Sequence, residues 1–126
     1  MSYDKNNIFA KILRGDIPCK KVYENDHVLA FHDINPQKKI HVLVIPKGEY
    51  VDLNDFNSKA SDKEIVELNK AVTHVANLMG AKDKGYRVLT ANAASKMVSA
   101  FWSAIVTGLP SDLVMLVGPL ALMSRI

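Results

Sequence analysis

The charged residues of this 126-residue chain all but stop at position 90, and that break limits what the chain can fold into more than any average does. Of 16 basic and 13 acidic residues, only Lys96, Asp112 and Arg125 lie beyond it, and all four histidines precede it. The first ninety residues have the mixed polar and apolar texture of a globular domain. The remainder is mostly Ala, Val, Leu and Met. A membrane-spanning helix needs ~20 uninterrupted apolar residues. Here Gly108, Pro110, Asp112, Gly118 and Pro119 break the run, so a span is not expected. Net charge is +3, too mild to argue for nucleic acid as a partner. One cysteine, Cys19, excludes an internal disulfide and a cysteine metal cage, and it accords with a reducing, cytoplasmic setting. The polar opening carries no signal-peptide pattern. The expected organisation is a domain over 1–90 followed by a divergent apolar segment over 91–126.

Local signals in the first ninety residues are consistent with one another. Asn7 is placed to cap a short helix over 8–14 that Gly15 stops. Residues 20–24 and 27–33 read as strands around the turn residues Asn25 and Asp26. Asn35-Pro36-Gln37 breaks the chain, and 39–46 reads as a third strand. Ser61-Asp62-Lys63-Glu64 fits a capping box ahead of a long helix, with Ile65, Leu68, Val72, Val75 and Met79 as its core stripe and Gly80 as its end. Residues 85–90 read as a fourth strand. The class is α+β, with a short helix, a long helix and an antiparallel sheet.

The residues with chemical potential concentrate in Phe31-His32-Asp33-Ile34-Asn35-Pro36 and His41-Val42-Leu43-Val44-Ile45-Pro46-Lys47. An aromatic and a carboxylate share one strand face, near a histidine on the next strand. An apolar slot with an acceptor carboxylate can hold a nucleoside: the base packs, and the carboxylate accepts from ribose hydroxyls. A nearby imidazole can serve phosphate chemistry. Taken alone, the same residues also fit a core phenylalanine, a turn aspartate and a satisfied strand histidine. Cys19 lacks a partner cysteine. His74 on the long helix reads as solvated or packed, and His27 and His32 fall outside the slot.

The ordered set Asn7-Ile8-Phe9-Ala10-Lys11-Ile12-Leu13-Arg14-Gly15-Asp16-Ile17-Pro18, Val22-Tyr23-Glu24-Asn25-Asp26, Leu29 to Pro36, His41 to Lys47 and Gly85-Tyr86-Arg87-Val88-Leu89-Thr90 resembles the histidine-triad (HIT) superfamily, in its nucleotide-binding hydrolase branch. The resemblance implies a homodimeric α+β fold paired through the long helix and a central strand. It implies binding of purine nucleoside monophosphates or nucleotide conjugates, without cofactor or metal. It also implies hydrolysis of phosphoramidates or dinucleoside polyphosphates through a nucleotidyl-histidine intermediate. On this chain it assigns Asp33 and Ile34 to the ribose, Phe9 and Phe31 to the base pocket, Leu43 to the pocket floor, and His41 to a supporting role beside the triad.

The resemblance fails after Thr90. The family continues with an asparagine, a Gly-Gly-Gln turn and His-x-His-x-His, of which the middle histidine is the nucleophile. This chain has Ala91-Asn92-Ala93-Ala94-Ser95-Lys96-Met97, and Trp102, Ala104 and Val106 stand near the histidine positions. None of these can attack phosphorus or carry a proton. Three origins stay open: a reading-frame change near residue 91, a divergent module that binds nucleotide without cleaving it, or a new carboxyl segment that packs as a helix or anchors to a membrane surface. The expected function is therefore that of a HIT-type nucleotide-binding protein lacking the catalytic nucleophile. A noncatalytic binding or dimerisation module is the alternative, and a small membrane-associated protein a distant third.

Overall fold

The computed structural model describes residues 5–32, 40–81, 83–90 and 113–119. Among the described residues, three helices and five strands run in the order α1 (Ile8–Arg14), β1 (Lys21–Glu24), β2 (Val28–His32), β3 (Ile40–Pro46), α2 (Leu53–Lys59), α3 (Asp62–Leu78), β4 (Arg87–Leu89), β5 (Leu113–Val117). The α+β class expected from the sequence is what forms.

Local chemistry sets the boundaries. The Asn7 side chain accepts from the Ala10 N–H at 2.9 Å, and Gly15 ends α1 at φ 85°, a left-handed conformation that glycine adopts without a Cβ penalty. The hairpin between β1 and β2 is closed by Asn25, whose Oδ1 accepts from the N–H groups of His27 (2.8 Å) and Val28 (2.9 Å). Ser61 and Glu64 form the reciprocal capping box that starts α3. One helix was not anticipated. Asp52 caps α2 by accepting from the Asp55 N–H at 2.8 Å, and α2 buries Phe56 against the core. With only seven residues and one fully buried side chain, α2 is too short to show a helical stripe in the sequence.

The strand order is β1-β2-β3-β5-β4. Strands β1, β2 and β3 are antiparallel, as expected. Strand β5 lies parallel to both β3 and β4, so the sheet is mixed rather than wholly antiparallel. A parallel neighbour requires a crossover of a dozen or more residues, and the chain between Leu89 and Leu113 is long enough to supply one. Leu113–Val117 thus fills the position between β3 and β4, and β4 pairs with β5. The backbone N–H of Gly118 donates to the Val44 carbonyl at 3.0 Å and extends this join.

Side-chain alternation divides the core in two. Val28, Ala30, Val42, Val44 and Met115 point to one face, where they meet Leu68, Ala71, Val72, Val75 and Ala76 of α3, together with Phe56. Leu29, Phe31, Leu43, Ile45 and Leu116 point to the other, where they meet Ile12 of α1. Each helix therefore covers one face of the sheet. Because β5 is buried on both faces, it reads as a continuous apolar run, Leu-Val-Met-Leu-Val, with no alternation to betray it.

Candidate functional site: an apolar cluster on the α1 face

The register places one side chain from each of five strands in a single row. Lys21, Phe31, Leu43, Leu116 and Leu89 are paired in sequence across β1, β2, β3, β5 and β4. Phe31, Leu43 and Leu116 form the floor with Leu29 and Ile45. Phe9, Leu13, Ile17, Cys19 and Leu89 are only partly buried and pack around that floor. Three residues that the sequence singled out, Phe9, Phe31 and Leu43, are thus brought into one apolar cluster.

Their exposures give them different capacities. Phe31 is 1% exposed and Leu43 is 6% exposed, so both are supporting residues within the core. Phe9 is half-buried and is the aromatic of the three with surface left to offer an incoming group. Its position depends on α1, which the Asn7 cap and the Gly15 stop hold in place.

His41 lies on β3 in register with Val114 of β5, with the strand parity of Leu43 and Ile45. Its imidazole lies outside the described residues. So do Asp33 and Ile34 entirely, and also Trp102, Ala104 and Val106. His32 is half-buried and has the parity of Val28 and Ala30, away from the cleft. His74 is exposed on α3 with its ring 4.4 Å from that of Tyr23, a packing role on the opposite face.

The electrostatics around the α1-face cluster are those of an apolar environment. Burial raises the Cys19 thiol pKa and so favours the protonated, weakly nucleophilic form, although the Lys21 ammonium works in the opposite direction. Ion pairs lie toward the rim of the sheet. Glu24 accepts from Lys47 at 2.8 Å and from Lys21 at 2.9 Å, and these two hydrogen bonds pull its carboxyl down to about 2. Among the described residues no group of three or more His, Cys, Asp or Glu side chains could hold a metal ion, and no helix is long and apolar enough to cross a membrane.

Sequence reasoning missed Leu116 and Leu89 as members of this cluster. The strand expected over 85–90 contains Leu89 without placing it in a cluster. The location of Leu116 follows from β5 pairing, for which a five-residue apolar run gives no local signal.

Comparison with known proteins agrees with this architecture. The HIT domain family profile matches residues 14–100. An uncharacterised 13.2 kDa HIT-like protein of Azospirillum brasilense is 60% identical over 89 residues, covering 71% of this chain and 73% of that protein. Among solved structures, a HIT-like protein superposes with a TM-score of 0.62 at 32% identity, covering 86% of this chain and 91% of the other. A HIT family hydrolase from Clostridium thermocellum does so with a TM-score of 0.64 at 27% identity, covering 88% of this chain and 86% of the other. By its profile match, its relatives and its fold, this chain belongs to the HIT family.

Proposed function

We propose that the chain binds a purine nucleoside monophosphate, or a nucleotide conjugate, in the α1-face cleft without hydrolysing it. The observation that carries this reading is the convergence of Phe9, Phe31 and Leu43 in one apolar cluster beside α1. In this reading Phe9 flanks the base, Phe31 and Leu43 support it, Asp33 and Ile34 engage the ribose, and His41 serves the phosphate end. The phosphoryl transfer implied by the family resemblance requires an imidazole nucleophile, followed by water attack on the nucleotidyl-histidine. This chain has histidines at 27, 32, 41 and 74 and no His-x-His-x-His run, so the attacking group is missing. Pairing of two copies through α3 and the sheet accords with Val66 and Leu78 on α3 and Val88 on β4, apolar side chains that remain exposed. The lone half-buried cysteine accords with a cytoplasmic setting.

Thermal denaturation with adenosine or guanosine monophosphate tests the binding. A ligand selective for the folded state raises Tm, by an amount set by its concentration relative to Kd. The expected result is a rise that Phe9→Ala removes. No rise at millimolar nucleotide eliminates the reading. Adenosine phosphoramidate is expected to show no turnover above background, and turnover that survives every single histidine substitution would require a different nucleophile.

A further inference from the structure

We propose that Leu116 of β5 is a positioning residue for the α1-face cleft, so that nucleotide binding depends on the apolar carboxyl segment rather than on residues 1–90 alone. The proposal rests on the nucleotide-binding reading above. Neither the motifs that carry the resemblance nor the expected domain boundary at residue 90 assigns this segment any part in a site.

Strand β5 is the junction of the sheet. It is registered on β3 through Leu43↔Leu116 and on β4 through Leu89↔Leu116, and β4 reaches β3 only by way of it. Its side chains divide between the two faces. Met115 is fully buried among α3 contacts, whereas Leu116 is 3% exposed and lies in the cluster of Phe31, Leu43 and Ile12, with Phe9 and Leu89 packed against it. Among the described side chains of β5, Leu116 is the one that ties the floor of the α1-face cluster to the strand. Without its side chain, Leu43 loses its neighbour on the β4 side, and Leu89 loses its cross-strand partner. Close-packed interiors relax only partly around such a void, so the floor shifts or softens. Met115 supplies a control of matched burial on the same strand that faces away from the cleft.

The experiment uses the full chain and adenosine monophosphate as the probe. Calorimetric titration compares wild type, Leu116→Ala and Met115→Ala under conditions where near-ultraviolet circular dichroism shows all three fully folded. Hydrogen exchange follows the β5 amides of the wild type with and without the nucleotide. The expected result is roughly tenfold weaker binding for Leu116→Ala, corresponding to about 1.4 kcal/mol, with Met115→Ala within twofold of wild type. The nucleotide should also slow exchange of the wild-type β5 amides. If Leu116→Ala fails to fold, Leu116→Val and the wild-type exchange measurement carry the test. Binding by the wild type with unchanged β5 exchange, or with equal losses in the two variants, overturns the role of Leu116 and leaves the binding reading standing. No binding by the wild type overturns both.

Discussion

Tyr50→Phe should destabilise the protein by about 1.5 kcal/mol at neutral pH, and the effect should fade at both ends of the pH scale. The Tyr50 hydroxyl donates to Glu64 Oε2 at 2.6 Å, fastening the segment after β3 to the capping box of α3. Hydrogen bonds to a charged group contribute about 1.5–3 kcal/mol. Both side chains retain some solvent contact, so the lower end applies. For a chain of this length that amounts to roughly 6 °C in Tm. The substitution keeps the ring, and with it the edge-on contact to Phe56 at 5.0 Å, so the hydroxyl alone is tested. The bond from Tyr50, then the Ser61 N–H, holds the Glu64 carboxyl below its ordinary range. Its contribution is therefore present above the unfolded carboxyl pKa and is lost as pH falls through the lowered folded value. Burial first, and then the bond to Glu64, pushes the Tyr50 hydroxyl up to about 12 from 10.0. That contribution is intact below pH 10 and disappears as pH rises through about 12. Urea denaturation of wild type, Tyr50→Phe, Glu64→Gln and the double variant at pH 3, 7 and 11 should give coupling of about 1 kcal/mol at pH 7 and less at either extreme. Coupling that is equal at pH 3 and pH 7, or an effect of Tyr50→Phe below about 0.5 kcal/mol, would refute the assignment.

Gly48→Ala should cost about 1–3 kcal/mol by overpacking: a Cβ at Gly48 would lie 3.0 Å from Tyr50 Cζ and closer still to Cε2, and Glu64 holds that ring in place. Urea midpoints check this, and Gly48→Ala combined with Tyr50→Ala should recover part of the loss. Glu24 should titrate with a midpoint near 2 by carboxyl carbon NMR, because Lys47 and Lys21 both donate to it. Molar salt should raise that midpoint, since the group is solvent-exposed. Asn7→Ala should cost about 1 kcal/mol through loss of the α1 cap. It should also weaken nucleotide binding by loosening Phe9, an effect that Asn7→Ser should largely spare.

The first ninety residues were legible where local chemistry and side-chain period agree. Asn7 and Gly15 frame α1, Ser61 and Glu64 open α3, and Leu68, Val72 and Val75 bury the expected stripe. Leu29 and Phe31 of β2 lie on the α1 face and Val28 and Ala30 on the α3 face, as the period of two along a strand requires. What escaped depends on long-range partners. The helix α2 is fixed by one cap and one buried phenylalanine. The position of β5, and its parallel direction, follow from an opening between β3 and β4 that only the folded sheet presents. A run that is apolar on both faces carries no period from which direction or register can be read. The candidate cleft was legible to the same extent. Phe9 and Leu43 are named through the family resemblance, and Phe31 also through its own motif, whereas Leu116 lies beyond the stretch that carries the resemblance.

Methyl and aromatic NMR of the full chain titrated with adenosine monophosphate tests the central claim most directly, since the two faces of the sheet carry separate reporters. Shifts are expected to begin at Phe9 and extend through Leu43, Leu89 and Leu116, with Val75, Ala71 and Met115 on the α3 face unmoved. Shifts centred on the α3 face, or none at millimolar nucleotide, would contradict it.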